Sequence, residues 1–196
     1  MSRIHAVDSL RMAESSTELM NRAARGDRAS YAELVDKYAG MLRRVSYLLL
    51  HSSAEADDAV QETFALALQR VAQFRGEGEP RGWFYTIALN VCRRRQRERK
   101  VREHNAEPAQ LETGRKFHLE PRGVLTSLVR RETARQLAIA LGFLTNEQRE
   151  AFVLHYVEEL PHEEIAALLG VTAAASRALA HRARVALQDR MPGLGL

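Results

Sequence analysis

The sequence predicts an all-α protein of two small helical domains joined by a flexible linker, the C-terminal one a helix-turn-helix. Three observations carry that prediction. Aromatic residues are only 6% of the 196, while Ala, Leu, Arg and Glu recur throughout, a balance that favours helix over sheet. Apolar residues repeat at helical spacing on both sides of a stretch, 105–123, where periodicity lapses and Pro108, Gly114, Pro121 and Gly123 intervene. Near the C-terminus, Gly170 separates a short apolar helical pattern from a longer one.

Residues 1–14 are polar and aperiodic and read as a mobile tail. The first domain spans 15–104. Ser15 with Glu18 has the spacing of a capping box for a helix ended by Gly26. Ser30 with Glu33 repeats it before a helix carrying Tyr31, Leu34, Val35, Tyr38, Leu42, Val45 and Leu49. Ser52 with Glu55 opens a third helix, to about Phe74, with Ala56, Ala59, Val60, Thr63, Phe64, Ala67, Leu68 and Val71 on one broad face. Asp58, Gln61, Glu62 and Gln69 lie opposite. From this segment alone an ordinary solvated face is the better reading; a partner surface for basic groups is the sharper one.

Two glycines and a proline make 73–80 a loop, and Pro80 suits the first turn of the next helix. There Trp83, Phe84, Ile87, Ala88 and Val91 form the expected buried arc. Asn90, Arg94 and Arg97 follow one another at i, i+4 and i+7, with Arg93 beside them. Arg95, Arg99, Lys100 and Arg102 extend the tract. Cations favour a helix C-terminus, but this density exceeds that need, and phosphate binding is the better reading.

After the linker the second domain runs over 124–196. Leu125, Leu128, Val129, Leu137, Ala138 and Leu141 restore helical spacing. Thr145 with Gln148 has capping-box spacing for a helix whose core side is Phe152, Val153, Tyr156 and Val157. Pro161 starts the short helix of Ile165, Leu168 and Leu169, Gly170 closes it, and Val171 and Thr172 lead into a long helix to about Arg190. On that helix Leu179, Ala183, Ala186 and Leu187 are expected inside. Arg177, His181, Arg184 and Gln188 line the outside, where such side chains reach base edges and phosphates. A plain helical hairpin with a basic face is the alternative.

Composition sets the outer bounds. A formal net charge of +4 is modest, so its clustering matters more than its size. One cysteine excludes an internal disulfide framework and suits a reducing cytosol, and no apolar run approaches a membrane span. A soluble, cytoplasmic protein is expected, with no membrane insertion. His155, His162 and His181 lack metalloprotease spacing, Cys92 lacks a CxxC partner, and no phosphate loop or dinucleotide fingerprint occurs. No metal, cofactor or catalytic residue is expected, and Cys92 reads as a small buried helix residue.

Both informative stretches resemble the extracytoplasmic-function (ECF) sigma factors of bacterial RNA polymerase. Ala56-Asp-Asp-Ala-Val-Gln-Glu-Thr-Phe64 with Trp83, Ile87, Ala88 and Asn90 is similar to that family's second region. Leu144 to Leu187 is similar to its fourth, including Arg149-Glu150, Glu164-Ile165-Ala166, Leu169-Gly170 and Arg182-Ala183-Arg184. The resemblance implies a subunit that binds core polymerase, recognises the −10 and −35 promoter elements and promotes strand opening. It implies that Asp58, Gln61 and Glu62 face the clamp helices of the polymerase largest subunit. Asn90, Arg93, Arg94 and Arg97 would bind the −10 element as it melts, and Thr172, Arg177, His181 and Arg184 the −35 duplex. Promoter DNA, core polymerase and an anti-sigma factor are the implied partners. Arg94 departs from the family, which often has an acid there, and the recognition helix begins with Ala174-Ala-Ser-Arg177 and has Leu179 where a second basic residue is usual. Two other readings stand beside this one. A stand-alone helix-turn-helix regulator would need neither the acidic patch nor the Trp83 to Arg97 arrangement; a decoy that binds only an anti-sigma protein usually carries an attached sensing domain.

Overall fold

The computed structural model describes residues 15–74, 79–105 and 124–191; the expected tail 1–14, residues 75–78 of the expected loop and 106–123 of the expected linker lie outside the described residues. Every element among them is helical. Helix α1, Ser16–Ala24, starts from the Ser15/Glu18 capping box with both reciprocal hydrogen bonds made, and Gly26 at φ +92° turns the chain out of it. Helix α2, Arg28–Leu50, is capped by Asp27 rather than by Ser30. The Asp27 carboxylate accepts from the Ala29 and Ser30 amides, the Ser30 hydroxyl and Arg22, a donor set that holds it down at about 2 and that Ser30 could not gather.

Helix α3, Ser53–Arg70, is capped by Ser52 and tightens into a 3₁₀ turn over Val71–Gln73. Helix α4, Pro80–Asn105, returns across α2 and α3. Tyr38, Phe64, Phe84, Trp83 and Phe74 join the elements through tilted and edge-to-face rings with centroids 5.0 to 6.0 Å apart. The arc expected on α4 is incomplete. Tyr85, Leu89 and Cys92 are buried as well, because a second bundle covers the other side of the helix.

That second bundle comprises α5 (Val124–Leu141), α6 (Asn146–Phe152), α7 (His162–Leu169) and α8 (Ala173–Gln188). Thr145 and Gln148 complete the capping box of α6. A π-helical turn over Val153–Val157 follows, in which the Glu158 amide reaches back to the Val153 carbonyl. The wider turn rotates the chain, so Leu154 is buried and Tyr156, expected in the core, is exposed. Gly170, left-handed at φ +70°, makes the sharp turn between α7 and α8. On α8, Ser176, Ala180, Ala183 and Leu187 face inward; Leu179, expected there, is only partly covered.

The two bundles share one apolar core. Helix α2 is its spine: α5, α6 and the π turn pack on it, and α7 packs on α4.

Candidate nucleic-acid interface

The acidic face of α3 and the cationic tract of α4 lie against each other. Asp58 and Gln61 are exposed, whereas the Glu62 carboxylate is drawn toward α4, where it pairs with Arg94 and, at 3.0 Å, with Arg95. Arg95 also reaches Asp58 at 3.8 Å. One turn further on, Arg99 donates to the Leu50 carbonyl at 2.9 Å and stands 3.7 Å from Glu55. Asn90, Arg97, Lys100 and Arg102 are exposed. Of the residues expected to bind a melting strand, Asn90 and Arg97 face solvent, while Arg94 has an acid of the adjacent helix as its partner.

Arg93 is placed differently. Its guanidinium makes a fork with Glu150 of α6, Nε to Oε1 at 2.8 Å and Nη2 to Oε2 at 2.5 Å, which together raise the Arg93 pKa. A second fork lies further along the seam. Arg44 donates to both Glu158 oxygens at 2.6 and 2.9 Å, and the Tyr85 hydroxyl donates to Oε2 at 2.7 Å. Burial, then the Glu158 charge, push the Tyr85 phenol far above its ordinary range, so it stays a donor.

Arg149 completes the seam from the opposite side. It is buried, yet instead of a carboxylate it finds backbone carbonyls: Leu141 at 2.9 Å, Leu144 at 3.1 Å and, across the seam, Leu49 at 3.2 Å. It thus satisfies orphan carbonyls at the ends of α5 and α2, where a cation also suits the helix dipole. Gln96 donates to the same Leu49 carbonyl at 2.9 Å. Arg149-Glu150 was visible as a sequence motif without a role. Its partners across the seam lie 57 and 100 residues away, beyond the reach of periodicity.

The helix-turn-helix presents the second cationic surface. Thr172 is the N-cap of α8: its hydroxyl accepts from the Ala175 amide and remains exposed. Arg177 and His181 are exposed, with Arg177 3.3 Å from Glu163 of α7. Arg184 is partly buried and points less freely outward than Arg177. Below, Ser176 meets His162 Nδ1 at 3.0 Å, and His162 stacks on His155 at 4.1 Å between ring centroids, tying the start of α8 to α7 and the π turn.

Cys92 is buried, its thiol pushed up to about 12 by burial, and donates to Ser46 Oγ at 3.7 Å. It is inert toward nucleophilic chemistry at neutral pH. Among the described residues, no cluster of three or more His, Cys, Asp or Glu is placed to hold a metal ion.

Comparison with known proteins finds matches over both halves of the chain. The family model Sigma-70 region 2 matches residues 34–102, and Sigma-70 region 4 matches 131–187. The RNA polymerase sigma factor YlaC of Bacillus subtilis is 30% identical over 84% of this chain and 93% of its own. The ECF RNA polymerase sigma factor SigE of Mycolicibacterium smegmatis is 32% identical over 85% of this chain and 64% of its own. Among solved structures, the sigma factor RpoE of Bartonella quintana, in complex with the anti-sigma factor NepR, superposes with a TM-score of 0.69 at 22% identity, covering 84% of this chain and 98% of its own. Two regions matched in order, and a relative of 30% identity matched over nearly its whole length, settle the assignment: the chain belongs to the extracytoplasmic-function sigma factors of RNA polymerase.

Proposed function

We propose that Asp58, Gln61 and Glu62 form the polymerase-binding face and hold the clamp helices of the largest subunit. Asn90, Arg93, Arg94 and Arg97 then take the −10 strand as it opens, and Thr172, Arg177, His181 and Arg184 read the −35 duplex. The observation that carries this reading is the adjacency of the first two surfaces. The same carboxylate, Glu62, touches α4 at Arg94 and Arg95, so a polymerase helix docked on α3 lies beside the track for the melted strand. An opened strand needs cations for its phosphates, and a partly apolar wall for its bases; Trp83, half-buried at the start of α4, supplies an aromatic surface near the loop before Pro80. On α8, Arg177 and His181 are exposed for base contact, and the shortage of polar donors beside them shifts weight to phosphate and shape.

The protein acts in the cytoplasm, as an initiation factor without an active site of its own; no described helix is long and apolar enough to cross a membrane. An anti-sigma factor is the further expected partner, in keeping with the NepR complex of the Bartonella protein.

The clamp assignment is tested on Asp58 and Gln61, because both are exposed and Asp58 makes only a 3.8 Å ion pair. Asp58→Arg with Gln61→Arg should weaken binding to purified core polymerase by about tenfold or more, through like-charge contact with basic clamp residues, with unchanged circular dichroism. Core binding at wild-type affinity would refute the assignment.

A further inference from the structure

We propose that the cleft between α4 and the start of α6 binds a small phosphate monoester of the nucleotide type, with Arg99 and Lys100 on its phosphate and Gln96 on a hydroxyl or amino group. The site lies apart from the surfaces assigned to polymerase and promoter, and it does not rest on that assignment. Its shape, its charge and one orphaned atom carry the proposal.

The cleft has a volume of about 440 Å³, the size of a small-molecule site. Gln96, Arg99 and Lys100 line it from α4, and Thr145, Glu147 and Arg149 line it from α6 and its cap. Arg99 stands on the opposite side of α4 from Asn90 and Arg97, so a ligand held here leaves the track for the melted strand clear.

Three of those six side chains are cations, and the most deeply buried of them has no carboxylate. Arg149 donates only to backbone carbonyls, and both oxygens of the neighbouring Glu150 are taken by Arg93. Arg99 donates to the Leu50 carbonyl, while Glu55 and Glu103 stay 3.7 Å from it, beyond hydrogen-bond reach. Lys100 is exposed and makes no hydrogen bond among the described residues. The effect of this crowding shows on buried neighbours. Burial and then Arg99 hold the Arg149 pKa down, and burial, then Arg149 and Arg99, do the same to His51. Glu147, the acid that lines the cleft, is exposed. A recess with this balance concentrates its field on an anion.

Gln96 adds a second requirement. It is 3% exposed, and its amide nitrogen donates to the Leu49 carbonyl, which sets the orientation of the amide. Its Oε1 is therefore an acceptor, buried with no hydrogen-bond partner among the described residues. An anion without a donor leaves that oxygen unsatisfied, whereas a ligand with a hydroxyl or amine beside its phosphate supplies the missing bond. Nucleotides carry both groups.

Calorimetric titration of the full chain at about pH 8 and physiological salt compares AMP with sulfate, both dianions under those conditions. AMP should saturate one site and bind about tenfold or more tighter than sulfate. Lys100→Glu should weaken AMP by about tenfold or more, and Glu147→Gln should tighten it by about two- to threefold. Both residues are exposed, and unchanged circular dichroism would show that neither variant has lost its fold. Arg97→Gln, on the other side of α4, should leave AMP affinity as it is. Since AMP touches both bundles, it should also raise the midpoint of thermal unfolding. No saturable binding, or equal weakening by Arg97→Gln and Lys100→Glu, overturns the site. Equal affinity for AMP and sulfate overturns the part given to Gln96, and with it the nucleotide. Failure of the clamp or promoter assignments leaves every one of these readouts unchanged.

Discussion

His51 shows how much one residue at the seam can report. It is the C-cap of α2, left-handed at φ 60°, with both ring nitrogens buried. Burial, then the Arg149 and Arg99 guanidiniums, hold its imidazole down at about 4. In the unfolded chain it titrates near 6.5. Between those values the unfolded state binds the extra proton, so the native state is favoured fully above pH 6.5 and progressively less as pH falls toward 4. The gap is worth about 3 kcal/mol. His51→Asn keeps a side chain that tolerates the left-handed backbone but removes the titration. Urea unfolding at pH 7.5 and 4.5 should show the wild type losing about 2–3 kcal/mol more than the variant. Equal losses in the two proteins would mean that His51 is not the titrating group. Arg99 and Arg149 come from different bundles, so this proton is repelled by both sides of the seam at once.

At the scale of the element, the turn of the helix-turn-helix offers the cleanest backbone test. Gly170 sits at φ +70°, and a Cβ placed there would meet nothing within 4 Å. Gly170→Ala therefore carries a conformational cost without a clash, about 1 kcal/mol. It should lower the midpoint of thermal unfolding by a few degrees and leave core-polymerase binding intact; a midpoint equal to wild type would remove the argument from φ. Gly142 contrasts with it, since a Cβ there would stand 3.0 Å from the Ile139 carbonyl.

Elements of this kind were legible in the sequence where their causes are local. The capping boxes at Ser15/Glu18 and Thr145/Gln148 and the stop at Gly170 need only neighbours within four residues. Ser30/Glu33 has the same spacing but lost to Asp27, an equally local cap whose carboxylate accepts from the Ala29 and Ser30 amides and the Ser30 hydroxyl. The π turn was invisible for a different reason. No spacing rule marks it, and Glu158, the residue that follows it, is held by Arg44, 114 residues earlier. The candidate site divides in the same way: Asp58, Asn90, Arg97 and Arg177 stand exposed where helical spacing put them, while the partners of Arg93 and Arg94 belong to tertiary structure.

For the whole molecule, the continuous core makes a prediction about cooperativity. Most of its buried apolar residues belong to α1–α4, and α5–α8 complete it across α2. A bundle that finishes its neighbour's core unfolds with it, so the wild type should melt in one transition seen alike by far-ultraviolet dichroism and Trp83 fluorescence. Trp83 stands in the first bundle beside Phe74 and Phe84 and reports that half alone. Removing both seam carboxylates, Glu150→Gln with Glu158→Gln, uncouples the halves and should make the two probes diverge. Dichroism should then show an early phase from α5–α8, which has the smaller core, and the tryptophan signal should follow later. Coincident melting in the variant would mean that apolar contacts along α2 suffice to hold the bundles together. The polar seam would then govern only which charges are presented, and not whether the molecule is one cooperative unit.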